Sequence, residues 1–564
     1  MSGDFPVALI LILGAVLIPV LPGLLRKAWM LALPVIAFGY LLAIPHGLHG
    51  QVELLGQTLT LMRVDKLSFL FGTIFLLAAL LSVIYALHVD DTMQHVAGLV
   101  YAGAAIGAVF AGDLMTLFIY WELTAVSSVL LVWARRGEHS AATGMRYVIV
   151  QLMSGMFLLA GALLHWRATG SLEFGHIGLS NTAGLLILIG FGIKSAFPFL
   201  HNWLMDAYPE ATPTGTVFLS AFTTKLGIYA LARGFAGTEE LVWIGTLMAA
   251  FPIFYAVIEN DLRRVLAYSM NNQLGFMVVG IGIGTELALN GAVAHAFADI
   301  IFKGLLFMSM GAVLFRTGTI KGSELGGLYK SMPWTTGFCI VGAASISAFP
   351  LFSGFVTKSM IMSAAAMEGM TLQWLVLLFA SAGVFHHAGI KIPYFAFFAH
   401  DSGIRCQEAP RNMLVAMGIA AALCIGIGIF PGALYALLPY TVNYEPYTAS
   451  HVVAQTQLLF YSALAFAVLM RTGIYPPELK SVNLDSDWLY RKAGWGFVVT
   501  FRLALTETRA GLGGIIEGRR LAIADFLLRQ RRPEGMLMRS WPTGSMALWV
   551  MVMLLAYLVL YYVG

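Results

Sequence analysis

Glu122, Lys194, Lys225, Lys303 and Lys358 each stand inside a long apolar stretch. An ionised side chain at the centre of a membrane helix costs about 2.5–3.5 kcal/mol, so such groups face protein or water and mark paths for protons or small cations. Glu122 lies in Phe118-Ile-Tyr-Trp121-Glu122-Leu-Thr124, and Lys194 in Gly192-Ile-Lys194-Ser195-Ala196-Phe197-Pro198-Phe199. Burial and a nearby opposite charge act on proton affinity in opposite senses, so an acid and an amine that approach and part can exchange a proton. A static ion pair that fixes helix packing is the plainer alternative for these two.

Lys225, in Phe222-Thr-Thr224-Lys225-Leu-Gly227, has no acid three or four residues away on its own helix. Its partner must come from another helix or from water. His295, Asp299 and Lys303 follow an i, i+4, i+8 spacing. That places imidazole, carboxylate and amine on one helix face, about 6 Å apart per step. Such a ladder supplies donors and acceptors for a proton wire through intervening waters. The plainer alternative is one Asp299–Lys303 salt bridge with His295 as a satisfied core histidine. Lys358, in Gly354-Phe-Val-Thr357-Lys358-Ser359, either ends the path toward one membrane face or snorkels to the interface. His386, His387 and Lys391 form a further polar cluster near a helix end, where an interfacial role is as open as a functional one. Asp65 and Lys66 read as interface anchors, and the many Met and Phe residues as packing or lipid-facing material.

Helices must position these groups. The chain is 59% hydrophobic and 11% charged, against roughly 25% charged in soluble proteins. Apolar stretches of about 20 residues span a bilayer as helices. Sixteen are present, among them 113–134, 183–204, 213–234, 286–315, 334–364 and 371–398 as the fifth, seventh, eighth, eleventh, twelfth and thirteenth. The fold expected is an all-α polytopic membrane protein of 14–16 helices. Met1 to Pro19 lacks a basic n-region and a cleavage site, so it reads as the first span rather than a signal peptide. With the N-terminus outside, Arg26, Lys27, Arg135, Arg136, Arg263, Arg264, Arg316, Lys321, Arg405 and Arg411 fall in cytoplasmic loops. Glu239, Glu240 and Glu286 fall on the other side, as does the C-terminus. The expected location is the cell inner membrane, with both termini non-cytoplasmic.

The net charge of +4 therefore reflects loop asymmetry and not nucleic-acid binding. Cys339, Cys406 and Cys424 are widely spaced with no CxxC, which points to no disulfide framework, iron–sulfur or zinc site. There is no Walker loop and no strand-linked GxGxxG. No cofactor or metal is expected, and the chain is not expected to be an enzyme by itself.

Pro198 and Pro350 each fall mid-span beside small residues, the second in Ser345-Ile-Ser347-Ala348-Phe349-Pro350-Leu351-Phe352-Ser353-Gly354. A proline there removes a donor and frees carbonyls at membrane depth, which is how transporters build midplane ion sites. Ser-Ala-Phe-Pro recurs at 195–198 and 347–350, in spans five apart. Two five-helix repeats of opposite orientation would place them so, and two ordinary proline kinks would also account for the string.

These residues resemble a known family, the antiporter-like subunits of Mrp-type multisubunit cation/proton antiporters, respiratory complex I and membrane-bound hydrogenases. The resemblance covers roughly residues 60–400 and is nearest to the D-type Mrp subunit. Asp113 to Leu123 is similar to the fifth-helix glutamate motif. Lys194 to Pro198, His201-Asn-Trp203 and Asp206 to Pro213 are similar to the broken seventh helix and its loop. Lys225 to Tyr229, Asp261 to Ser269 with Gln273 to Gly275, His295, Lys303 to Phe307 and Gly354 to Lys358 match further signatures in order. The resemblance implies a switching pair of Glu122 and Lys194, a relay of Lys225, His295 and Lys303, and a gate at Lys358. Three departures stand out: Met205 where the family has proline, Thr214-Gly215-Thr216 in place of Val-Ser-Ala, and Asp299 where histidine is common. Asp299 adds an acid to the central relay and bears on which ion moves.

The segment 475–541 holds eleven of the 33 Lys and Arg. It reads as a basic amphipathic helix lying on the cytoplasmic surface, similar to the family's lateral helix, ahead of a terminal anchor at 543–563. The organisation expected is N-terminal helices 1–95, antiporter halves 96–234 and 239–398, C-terminal helices 411–472, then the lateral segment and anchor. The function expected is proton translocation within a multisubunit cation/proton antiporter. The partners would be small hydrophobic and other antiporter-like subunits, with protons or sodium as the ions. The alternatives are the pumping subunit of a complex I-like or hydrogenase redox complex, a membrane subunit energising inorganic-carbon uptake, a stand-alone transporter, and a scaffold.

Overall fold

In hydrocarbon every backbone N–H and C=O must be satisfied within the protein, and an apolar run does this by coiling into a helix. The structure, a computed structural model, describes residues 5–54, 56–476, 478–479, 483–494, 543–563 and a few single positions between 496 and 528. The chain opens with α1 (Val7–Val16), α2 (Gly23–Ala43), α3 (Lys66–Ala86) and α4 (Thr92–Phe110). Then come α5 (Leu114–Trp133), α6 (Glu138–Thr169), α7 (Thr182–Lys194), α8 (Asn202–Glu210), α9 (Gly215–Ala221) and α10 (Thr223–Gly234). The second half holds α11 (Glu239–Ile258), α12 (Leu262–Ile283), α13 (Glu286–Thr317), α14 (Pro333–Ile346), α15 (Ser353–Met367) and α16 (Thr371–Val384), which runs on as π-helical turns over Phe385–Lys391 and Tyr394–Phe398. The chain continues with α17 (Arg411–Ile429), α18 (Gly432–Tyr435), α19 (Ala449–Thr472) and α20 (Thr543–Val563).

Among the described residues, twelve helices are long and apolar enough to cross a membrane. Each of the sixteen expected stretches has a helical counterpart, with α7–α8, α9–α10 and α14–α15 as interrupted crossings. One element was not expected. Between α2 and α3 lies an antiparallel hairpin of β1 (Gly47–Leu54) and β2 (Gln57–Val64), pairing Gly47 with Val64 and Leu54 with Gln57. Its end meets the helical body, where the Thr60 amide donates to Asp113 at 2.8 Å.

α13 is the hub: 94% of its most apolar window is buried, against 11% for α19. Contacts among loops define two faces. Arg135–Glu210 (3.4 Å) and Arg136–Asp91 (3.2 Å) lie on one. On the other, Asp65 caps α3 through the Ser68 amide (2.9 Å) and pairs with Arg233 at 2.8 Å, so it is a capping residue rather than an interface anchor.

A duplication extends well beyond Ser-Ala-Phe-Pro. α6 and α13 are both 32 residues long and both end at a left-handed glycine, Gly170 (φ 74°) and Gly318 (φ 76°). The Leu114 amide donates to Leu172 and Phe174 to Gly112; Leu262 donates to Ile320 and Gly322 to Asn260 in the same pattern. At the breaks Ala196 and Phe199 have φ of 58° and 66°, and Ala348 and Leu351 have 57° and 73°. Phe197 reaches back to Gly192, and Phe349 to Ala344. These are helix ends closed by a left-handed residue, built on alanine where glycine is usual. The α5–α7 and α12–α14 copies lie five crossings apart, so they run in opposite senses.

Residues 484–564 form a separate unit, described at the helical turn Leu489–Gly494, where Arg491 pairs with Asp487 at 2.6 Å, and at α20. The amphipathic segment expected over 475–541 lies, from residue 501 on, almost wholly outside the described residues.

Candidate functional site

α7 ends at Lys194 because the chain turns at Ser195–Pro198, and the fully buried ammonium points to α5. Lys194 Nζ donates to the Trp121 carbonyl at 3.1 Å and to Thr124 Oγ1 at 2.7 Å, 4.8 Å from the Trp121 ring centre. Trp121 is itself fixed, its Nε1 donating to Ser154 Oγ (2.9 Å), which donates to the Gly190 carbonyl (2.7 Å). Glu122 stands one residue along, within the field of Lys194. Among the described residues its buried Oε1 has no hydrogen-bond partner, and it lies against Gly155, where any Cβ would overlap the carboxylate. Acid and amine are thus neighbours, but the ammonium's hydrogen bonds go to Trp121 and Thr124.

Lys225 finds its acid across helices. Its Nζ lies 2.7 Å from Asp299 Oδ2, both side chains fully buried, and donates to the Ser220 carbonyl at 3.2 Å. This replaces the Asp299–Lys303 salt bridge that the spacing allowed. The short carboxylate meets α10, while the longer Lys303 stem carries its ammonium to Ser269 Oγ on α12, at 2.8 Å.

His295 lies within hydrogen-bond distance of Thr357 Oγ1 through Nδ1 and of Gln273 Oε1 through Nε2, each at 3.1 Å. Gln273 donates its amide to Asn272 Oδ1 at 2.6 Å, which turns its oxygen toward the ring. Nε2 therefore carries a proton. The one Thr357 hydroxyl hydrogen can serve either His295 Nδ1 or the Ser353 carbonyl, 3.1 Å away. The ring is satisfied both neutral and doubly protonated without moving, as a relay requires.

Lys358 is 2% exposed and does not snorkel. Its Nζ donates at 3.0 Å to the carbonyl of Ile346, the last residue of α14, and lies 5.0 Å from the Phe276 ring centre. The break at Pro350 thus supplies the acceptor that holds Lys358. At the break by Pro198, Trp203 Nε1 covers the Ile193 carbonyl at 2.9 Å.

Residues 111–386 match the family model described as NADH:quinone oxidoreductase/Mrp antiporter, TM. Hydrogenase-4 component B of Escherichia coli (strain K12) is 28% identical over 487 residues, which cover 76% of this chain and 71% of that protein. The A-type subunit of the Na(+)/H(+) antiporter of Alkalihalophilus pseudofirmus is 30% identical over 495 residues, covering 76% of this chain. This chain spans 60% of that relative's length. A chain of the archaeal membrane-bound sulfane sulfur reductase, a respiratory membrane complex, superposes with a TM-score of 0.72 over 98% of this chain and 99% of its own, at 22% identity. Over residues 111–386 the chain resembles the antiporter-like subunits.

In this chain the linking polar groups Thr124, Ser269, Gln273 and Thr357 were not singled out from the sequence. The signal available was Ser269 to Gln273, a polar run inside a span. Gln151 and Asn271 are also buried, and among the described residues neither amide has a partner. Arg263, counted above with the loop cations, is fully buried. It donates to the carbonyls of Tyr208, Pro209, Ala211 and Thr212 at 3.0–3.3 Å and to the Thr216 hydroxyl, clamping the linker from α8 to α9. Thr216, one of the departures from the family pattern, is thereby part of the clamp. His387 and Lys391 are buried rather than interfacial. Among the described residues no group of three or more His, Cys, Asp or Glu could hold a metal ion.

Proposed function

We propose that this antiporter-like subunit translocates protons within a multisubunit cation/proton antiporter. The observation that carries the reading is the buried Lys225–Asp299 pair, flanked by Lys194 toward Glu122 and by His295, Lys303 and Lys358 on the other side. A buried charge pair is held in place by mutual attraction that must offset a desolvation penalty of several kcal/mol per ion. Protonating Asp299, or deprotonating Lys225, releases the partner's charge into a site where Lys303 and Lys358 already feel the same carboxylate. A proton step at one pair therefore changes the affinity at the next, and waters between the groups carry the transfer. Glu122 and Lys194 act as the switching pair, His295 relays between two satisfied states, and Lys358 gates the far end at the second break. The antiporter halves are 96–234 and 239–398. The chain resides in the cell inner membrane with its termini outside, alongside small hydrophobic and other antiporter-like subunits, and the exchanged cation is sodium.

A second reading is favoured by the match to hydrogenase-4 component B over 71% of that protein. In it the same relay is driven by a redox module. Isolation from native membranes in mild detergent, with partners identified by mass spectrometry, separates the two. Small Mrp-like subunits without redox proteins support the first, and iron–sulfur or hydrogenase subunits the second. In proteoliposomes of the isolated complex, Lys303→Met is expected to lower proton flux under an imposed potential roughly a hundredfold, the low end of what a positioned proton-transfer group contributes. Unchanged flux would remove the relay.

A further inference from the structure

Beyond the relay, a second set of buried titratable groups lies where α16 becomes π-helical, a feature frequent at functional sites. Lys391 is fully buried there and takes four partners. It donates to the carbonyls of Ala256 (3.2 Å), Val257 (2.7 Å) and Glu259 (2.6 Å) at the end of α11, and it pairs with Glu478 at 2.9 Å. One turn back, His387 is fully buried, and among the described residues no side chain bonds either ring nitrogen. The charges acting on that ring are Lys303, His386 and Lys391. The Gly383 carbonyl, one turn back, also acts on the ring, and a buried imidazole whose other nitrogen is open needs water.

Glu478 faces a cavity. Gly322, Ser323, His400, Gly473, Tyr475 and Glu478 are among the residues lining a space of about 330 Å³. These residues belong to the connections after α13, α16 and α19, on the face that carries Arg135 and Arg136. A cavity of this size with a carboxylate in its wall holds several waters. The sequence Lys303, His387, Lys391, Glu478, cavity is thus a row of proton-bearing groups from the centre of the protein to one face.

We propose that this row is a proton port, with Glu478 as its outermost group and Lys391 as its gate. The inference rests on the relay reading of Lys303. In the outward step the Lys391 ammonium gives its proton to the Glu478 carboxylate, which neutralises the pair, and Glu478 passes it to cavity water. One ring nitrogen of His387 then gives its proton to the Lys391 amine as the other accepts a proton through water from Lys303, so the ring stays neutral and changes tautomer. The inward step is the reverse. The π-helical turns matter because they aim Lys391 at the open carbonyls of α11, which hold the side chain while its charge changes.

The test uses the isolated complex in proteoliposomes, with an internal pH dye and a potassium diffusion potential to drive protons. Glu478→Gln is expected to lower flux roughly a hundredfold, and Glu478→Asp to restore it in part. A plug guards against misfolding: in a Cys406→Ser background, His400→Cys is modified after assembly with a bulky methanethiosulfonate. Labelled and unlabelled protein are then compared, and loss of flux on labelling supports the port. Flux that survives both Glu478→Gln and the plug overturns it. If Lys303→Met abolishes flux while both leave it intact, the relay stands without this mouth. If Lys303→Met also has no effect, the relay reading falls and takes the port with it.

Discussion

Asp299 is the acid on which the central charges depend. Lys225 lies 2.7 Å from it, with both side chains fully buried, so each is the other's nearest opposite charge. Removing one member of a buried pair leaves the other's charge uncompensated and costs about 3–5 kcal/mol, while replacing both by apolar groups is often neutral. Asp299→Asn is therefore expected to lower the thermal stability of the isolated protein by about 3–5 kcal/mol and to abolish flux. Lys225→Met with Asp299→Leu should regain most of the stability and none of the flux. A single Asn variant as stable as the parent would mean that Lys225 and Asp299 are not an ion pair. The spacing of His295, Asp299 and Lys303 was legible in the sequence because it is a property of one helix. The partner of Lys225 was not, because helix α10 meets α13 only through the fold.

At the scale of elements, the breaks and the small residues set what each helix can carry. Gly155 on α6 occupies the place that Lys303 occupies on α13, and the absent side chain leaves room for the Glu122 carboxylate. Gly155→Ala is expected to push Glu122 out of its slot, away from Lys194, and to cost flux while barely changing the helix, since alanine is the better helix former by about 1 kcal/mol. Flux equal to the parent's would mean Glu122 has no fixed role. At the breaks, Ala196 and Ala348 hold left-handed backbone that costs a non-glycine residue about 1–2 kcal/mol. Ala348→Gly should thus raise thermal stability by up to about 1 kcal/mol, after the greater entropy glycine loses on folding. A fall in stability would show that the alanine methyl packs more than the strain costs. Only Ser-Ala-Phe-Pro betrayed the duplication, because the breaks constrain residue type through backbone geometry. Along α6 and α13 the shared feature is a hydrogen-bond pattern, and Tyr147, Gln151 and Gly155 against His295, Asp299 and Lys303 leave no trace of it in side chains. The β1–β2 hairpin escaped for the opposite reason: its residues, Gly47 to Val64, sit between two spans whose apolar runs dominate the reading.

For the molecule as a whole, the inverted halves are unequal in charge. The first carries Glu122, Lys194 and Lys225; the second carries His295, Asp299, Lys303, Lys358 and the Lys391 cluster. Inversion points the two breaks to opposite faces, so a path through both can open to one side at a time, as alternating access requires. The loop charges predict which side is which. Arg135, Arg136, Arg405 and Arg411 lie on the face that holds the cavity of Glu478, and Glu239, Glu240 and Glu286 lie on the other. Retention of cationic loops in the cytoplasm predicts that the cavity face is inside. In a Cys406→Ser background, Arg405→Cys is expected to react with a membrane-impermeant maleimide in inverted vesicles and not in intact spheroplasts, and Glu239→Cys the reverse; both positions are exposed. The opposite pattern would turn the whole chain over and make the port a mouth on the outer side. It would leave the relay's internal order untouched, because Lys225–Asp299 and His295 between Thr357 and Gln273 are fixed by contacts that do not depend on which face is which.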